Sequence, residues 1–126
     1  MISSGEAERL YSALSLLVST TVEGAECAGL AAFRALDLLL GEDLGRRAQE
    51  PEATPALSWA GRETFARSLV ELRDTALQLD GLRLFACSAS VETMSVTPDS
   101  VEERLDGVMS TPRFLRETAG ARLLFV

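Results

Sequence analysis

The sequence contains no histidine and no lysine, and only two cysteines, Cys27 and Cys87. Without histidine there is no Ser-His or Cys-His nucleophile pair, no imidazole base and no imidazole metal ligand, so the commonest hydrolase and zinc-enzyme arrangements are excluded. Two cysteines 60 positions apart with no companion ligands do not make a structural zinc site, and they are too few for a disulfide framework. A basic n-region followed by an apolar h-region is also missing at the N-terminus, so the expected compartment is the reducing cytoplasm. Glycine-rich phosphate loops of the GxGxxG or GxxxxGKS/T type are absent. The apolar neighbourhood of residues 10–40 is interrupted by Glu23, Glu26, Arg34 and Asp37, which leaves no uncharged run of about 18 residues to cross a bilayer. Every basic residue is arginine, 12 against 19 acidic residues, and only Arg46 and Arg47 are adjacent. A net charge of -7 repels a phosphate backbone, so neither nucleic acid nor membrane is an expected partner. No metal and no cofactor are expected either.

What is present is one domain's worth of chain with an alternating pattern. At 126 residues it is long enough to bury roughly two thirds of its unfolded surface. Leu10, Leu14, Leu17, Val18 and Thr21 share one helical face that opens after Ser3-Ser4-Gly5 and stops at Gly24. Residues 26–33, ECAGLAAF, have the length and apolarity of a buried strand, and ALDLLL, residues 35–40, a short helix closed by Gly41. Between Glu42 and Gly61 the periodicity fails around two prolines, as in a surface loop. It resumes at Phe65, Leu69, Leu72, Ala76 and Leu79, a second long helix stopped by Gly81. LRLFA, residues 82–86, reads as a central strand covered on both faces. Thr97-Pro98 and Thr111-Pro112 each place a capping hydroxyl before a proline at the first helical position, which predicts helices over SVEERL and RFLRET. A two- or three-residue strand fits VMS between them, and RLLFV, residues 122–126, a last buried strand. Strands alternating with helices predict a mostly parallel sheet with helices on both faces.

Within this pattern Cys87 falls where the strand LRLFA meets SASVETM, a stretch able to begin a helix. In open α/β sheets that carboxyl edge is where ligands bind. Unpaired N–H groups at a helix start stabilise a thiolate and can lower a thiol pKa from about 8.5 into the range of roughly 3.5 to 7.5. The competing reading makes Cys87 a small buried hydrophobe, as free cysteines commonly are. Cys27, inside the second strand, is read as packing.

The run FACSASVETMSVTPDSVEERLDGVMSTPRFLRETAGARLLFV resembles the C-terminal half of the DsrE/DsrF-like proteins, sulfur-relay-related α/β proteins. There a strand leads into a cysteine, a small-residue turn, a helix, a short strand, a helix and a final strand. SSGEAERLYSALSLLVSTTVEGAECAGLAAF is similar to that family's polar turn, first helix and second strand. The resemblance implies a three-layer α/β/α sandwich with four to five mostly parallel strands, assembly into homo-oligomers, and sulfur transfer through a cysteine persulfide. Cys87 matches the family's cysteine, with the backbone of Ser88, Ala89 and Ser90 as thiolate-stabilising donors. The family's full first strand is here at most a stub at residues 1–4, and no second cysteine stands near Cys87 to resolve an intermediate. Phe33, Arg34 and Trp59 are candidate pocket lining: Arg34, like Arg83, to attract an anionic sulfur donor, and Trp59 as a lid or as an anchor for its loop. For Arg83 an edge or subunit-interface position is the preferred expectation. Glu92 is either a proton handler or part of a solvated helix face.

Three functions therefore stand at this point. Cys87 accepts sulfane sulfur from a donor protein and passes it to an acceptor, or the chain is a non-catalytic oligomeric ligand-binding or assembly protein of the same fold. A thiol peroxidase or redox sensor comes third, since it would want a resolving cysteine.

Overall fold

The computed structural model describes residues 1–50 and 58–126, with Trp59 described in its backbone only. The first helix, α1, spans Ala7–Val22 and buries Ala7, Leu10, Ala13, Leu14 and Thr21 on one face. Gly24 ends it at φ +105°, a conformation that favours glycine, with its N–H bonded to the Thr21 carbonyl. Strand β1 is Cys27–Ala31 and leads through Ala32 into α2, Phe33–Leu40, whose last turn closes on Gly41. The stretch expected to be a loop between Glu42 and Gly61 is only partly so: α3, Leu44–Ala48, buries Leu44 and Ala48, and α4, Trp59–Gln78, already begins at the tryptophan. Sequence periodicity misses α3 because five residues show too little of a 3.6 repeat, and the Ser58 cap, whose hydroxyl accepts the Gly61 N–H, sits three positions after a proline.

Strand β2 is Leu82–Cys87, followed at once by α5, Ser88–Thr93, then α6, Pro98–Arg104, β3, Val108–Met109, and α7, Thr111–Glu117. The Thr97-Pro98 device works as expected, with the Thr97 hydroxyl accepting the Ser100 N–H. At α7 the cap is one residue earlier than expected: Ser110 accepts the Arg113 N–H, which leaves Thr111 inside the first turn and its hydroxyl free for other work.

The sheet is parallel and ordered β1-β2-β3, with Gly29 opposite Leu84, Ala31 opposite Ala86, and Cys87 opposite Met109. Its three strands are fewer than the four to five expected. The N-terminal stub contributes one bridge, Ile2 to Ala31. The terminal segment 122–126 forms no strand and is not buried: Leu123, Leu124 and Phe125 are 57%, 49% and 71% exposed. Backbone bonds do tie it to the stub, from Ser3 N–H to Val126 O, from Val126 N–H to Met1 O and from the Met1 ammonium to Leu124 O. A stub that pairs through one residue gives its neighbour too short a ladder to extend along.

The two faces of the sheet are packed unequally. Ile2, Ala31, Leu82, Leu84 and Ala86 join the large core with α1, α2, α3, α4 and α6. On the opposite face Leu30, Ala32, Phe85, Cys87 and Met109 form a smaller cluster, to which α7 contributes Phe114, its one buried residue. Coverage of β2 on that face is therefore incomplete. Arg83, expected at an edge, lies on this central strand and is exposed, with its guanidinium 5.8 Å from the Phe85 ring centroid. Arg73 is buried on the helical side and donates to the Gly41 carbonyl, where α2 turns away.

Because β3 has only two residues, β2 needs another partner upstream of Ala86. Asp106 supplies it: its N–H donates to the Leu84 carbonyl at 2.8 Å and its carboxylate accepts the Leu84 N–H at 2.7 Å. Asp106→Ala is expected to leave that N–H unpaired and to destabilise the fold by about 1–3 kcal/mol. Urea unfolding checks this, and an unchanged midpoint would show that water takes over the bond at no cost.

Candidate functional site

The site is built where β1, β2 and β3 end together. In a parallel sheet consecutive strands deliver their carboxyl ends to one edge, so Ala32-Phe33, Cys87-Ser88 and Met109-Ser110-Thr111 converge although they are far apart in sequence. Cys87 is the last residue of β2 and the N-cap of α5, with φ -66° and ψ 124°. Its extended backbone holds the sulfur beside the first N–H groups of the helix.

Two opposed influences act on the thiol. Burial pushes its pKa up; hydrogen bonds from the Ser90 N–H, the Ser90 hydroxyl, the Ala89 N–H and the Thr111 hydroxyl outweigh that and hold it below the ordinary thiol value. The Thr111 oxygen lies 4.0 Å from Sγ. Charged residues on the surrounding elements, Arg34 on α2, Glu92 on α5 and Arg113 on α7, take no part in this balance. The thiolate is thus favoured by local dipoles rather than by a histidine or another charged partner.

Of the expected donors, the backbones of Ala89 and Ser90 contribute and that of Ser88 does not. A carboxyl-edge position suggests a partly accessible sulfur, yet Cys87 is 5% exposed, covered on the side of the small cluster by Met109 and Phe114. The turn points the sulfur back over the sheet face, and α7 closes on it. Cys27, half-buried in β1, packs against the large core, and both cysteines are free thiols.

Phe33 is 50% exposed and adopts φ +50°, an unusual conformation for a bulky residue. Its N–H donates to the hydroxyl of the fully buried Ser90 at 2.9 Å, which ties the start of α2 to α5. Arg34 is exposed and turns toward Gly5, whose missing Cβ would stand 2.6 Å from its side-chain carbons. The structure therefore brings Phe33 to the thiol's neighbourhood and lays Arg34 along the N-terminal loop, while the side chain of Trp59 lies outside the described residues. Glu92 is exposed on α5.

Sequence reasoning missed the hydroxyls of Ser90 and Thr111 and the cover formed by Phe114. A usable signal existed for Thr111: a strand over VMS parallel to LRLFA must end at the same edge as Cys87. Among the described residues no group of three or more His, Cys, Asp or Glu is placed to hold a metal ion, and no helix is long and apolar enough to cross a membrane. Comparison with models of known families and with curated proteins gives no match to this chain.

Proposed function

We propose that the protein is a sulfur carrier of the DsrE/DsrF-like kind, a three-layer α/β/α domain that works in the cytoplasm as a homo-oligomer between a donor and an acceptor protein. One observation carries the reading: a thiol stands at the carboxyl edge of a parallel sheet, at the start of α5 and 4.0 Å from the Thr111 hydroxyl, where local dipoles favour its ionised form. In the loading step the Cys87 thiolate attacks the outer sulfur of a donor persulfide, R–S–SH. A new S–S bond forms on Cys87, the donor S–S bond breaks, and its electron pair leaves on R–S⁻. The outer sulfur keeps its proton or loses it to solvent. An acceptor thiolate then attacks the outer sulfur and returns Cys87 as thiolate, so the cycle needs no added oxidant or reductant.

A second reading is favoured by two other observations, the low exposure of Cys87 and the exposed apolar run Leu123, Leu124 and Phe125. In it the chain is a non-catalytic ligand-binding or assembly protein, and Cys87 is core.

Incubating the reduced protein with a small persulfide donor separates the two. The carrier reading expects one added sulfur atom on Cys87, removable by a thiol reductant, with Cys27 unmodified, and complete loss of the adduct in Cys87→Ser with the fold retained. No adduct on the wild-type protein under conditions where Cys87 can be alkylated would leave the assembly reading standing.

A further inference from the structure

Residues 124–126 form no strand of their own, yet their backbone bonds place them outside the stub, as the outermost backbone on that side of the sheet. Ile2 bonds inward to β1 and its continuation, its N–H to the Leu30 carbonyl and its carbonyl to the Ala32 N–H. On the other side the Met1 ammonium donates to the Leu124 carbonyl at 2.7 Å, the Val126 N–H to the Met1 carbonyl at 2.9 Å, and the Ser3 N–H to the Val126 carbonyl at 2.8 Å. In extended backbone successive residues turn their polar groups to opposite sides, so Leu124 and Val126 face the stub while Leu123 and Phe125 face outward. Among the described residues the N–H and C=O groups of Leu123 and Phe125 meet no hydrogen-bond partner. Their side chains are exposed as well, and an apolar segment bonded on one side and open on the other is a template for a further chain.

We infer that this edge pairs with the same segment of a second copy, antiparallel and across a two-fold axis at Leu124. Register is the first reason. An axis at Leu124 sets Leu123 opposite the partner's Phe125 and Phe125 opposite the partner's Leu123, so every open donor meets an open acceptor in closely spaced hydrogen-bonded pairs. Side chains at alternate positions share a face, so each of these pairs also sets leucine against phenylalanine, an apolar cross-strand contact made twice. Charge is the second reason. The chain carries -7 as a whole, but residues 118–126 hold no acidic residue and a single arginine, Arg122, a stretch opposite in sign to the copy that meets it. The two Arg122 side chains stand at opposite ends of the paired segment, each across from the partner's Val126. Pairing across a two-fold uses up this edge on both copies, so the assembly closes as a dimer. The inference rests on the homo-oligomer of the proposed function and not on sulfur transfer at Cys87.

Sedimentation equilibrium over a dilution series tests it on the intact protein. The wild-type mass is expected to rise from 13.6 kDa to twice that with concentration. Phe125→Lys changes an exposed side chain, so the fold is expected to stay intact while the dimer weakens about tenfold or more. Leu124→Cys reads the register. Opposite residues of a non-hydrogen-bonded antiparallel pair have Cα atoms about 4.5 Å apart, within the span of a disulfide. Mild oxidation is therefore expected to link two copies of Leu124→Cys but not two copies of Arg122→Cys, with the wild-type protein as the control for Cys27 and Cys87. A wild-type protein that stays monomeric overturns the inference, and so does a dimer that tolerates Phe125→Lys or fails to cross-link through Leu124→Cys. A dimer through this edge in a protein that takes up no sulfane sulfur keeps the inference and discards the carrier reading; a monomer that takes up sulfane sulfur does the reverse.

Discussion

Leu84→Ala is expected to destabilise the protein by about 2–5 kcal/mol, the range found for removing a fully buried leucine whose cavity cannot close. Leu84 is 1% exposed at the centre of β2, directly opposite Gly29 of β1, in the large core. The reason the site cannot collapse is specific. A Cβ on Gly29 would stand 2.7 Å from Leu84 Cδ2 and 3.4 Å from Leu17 Cδ1, so the leucine already occupies the space that the glycine leaves empty. The pair is a knob and its hole. Gly29→Ala by itself should therefore also destabilise, through overpacking of about 1–3 kcal/mol. Combining the two puts the new methyl into the space vacated by the leucine. The double variant is expected to lose about 1 kcal/mol less than the sum of the single losses. Denaturant unfolding of the four proteins measures this, and strict additivity would show that the contact does not govern packing between β1 and β2.

Phe114→Ala is expected to expose Cys87 and to raise its rate of alkylation by about one to three orders of magnitude. A thiol that is 5% exposed reacts through openings of its cover, and the cover here is α7, which buries a single side chain, Phe114, 3% exposed, in the cluster that holds Cys87. Truncating a buried phenylalanine removes about 3–5 kcal/mol of docking energy. Part of that appears as a larger open population, at a factor of ten for each 1.4 kcal/mol or so. Cys27 lies in β1 against the other core and serves as the internal control. Peptide mass spectrometry after timed alkylation separates the outcomes. Faster labelling of Cys87 alone supports a movable cover, equal acceleration of both cysteines reports global unfolding, and unchanged rates show that reagents reach the sulfur without moving α7.

Much of the local structure was legible before any coordinates, because its causes are local. The apolar faces of α1 and α4 repeat at the helical period, Gly24 and Gly81 adopt positive φ where those helices were expected to stop, and Thr97 caps its helix through its own side chain. Position Cys87 could be placed at a strand-to-helix junction for the same reason. Three expectations failed where a cause was not local. RLLFV is apolar enough for a strand, but a strand exists only if a neighbour offers a ladder, and the N-terminal stub offers one bridge. Arg83 was expected at an edge or in a subunit interface, and the edge position is excluded, because it stands on the central strand where helix cover is incomplete. Thr111 was read as a cap, and Ser110 took that role.

The sequence by itself determined the class of fold and narrowed the chemistry open to the site: apolar runs alternating with helical periodicity predict strands and helices in parallel units, and a chain without histidine has no Ser-His or Cys-His nucleophile pair. Tertiary structure alone decided whether that thiol is favoured as an anion and who can reach it. The hydroxyl of Thr111, the amide of Phe33 and the ring of Phe114 come from segments spread between residues 33 and 114. Hydrogen bonds to a sulfur act over a few ångströms, and no spacing along the chain records which distant groups the sheet will bring within that distance.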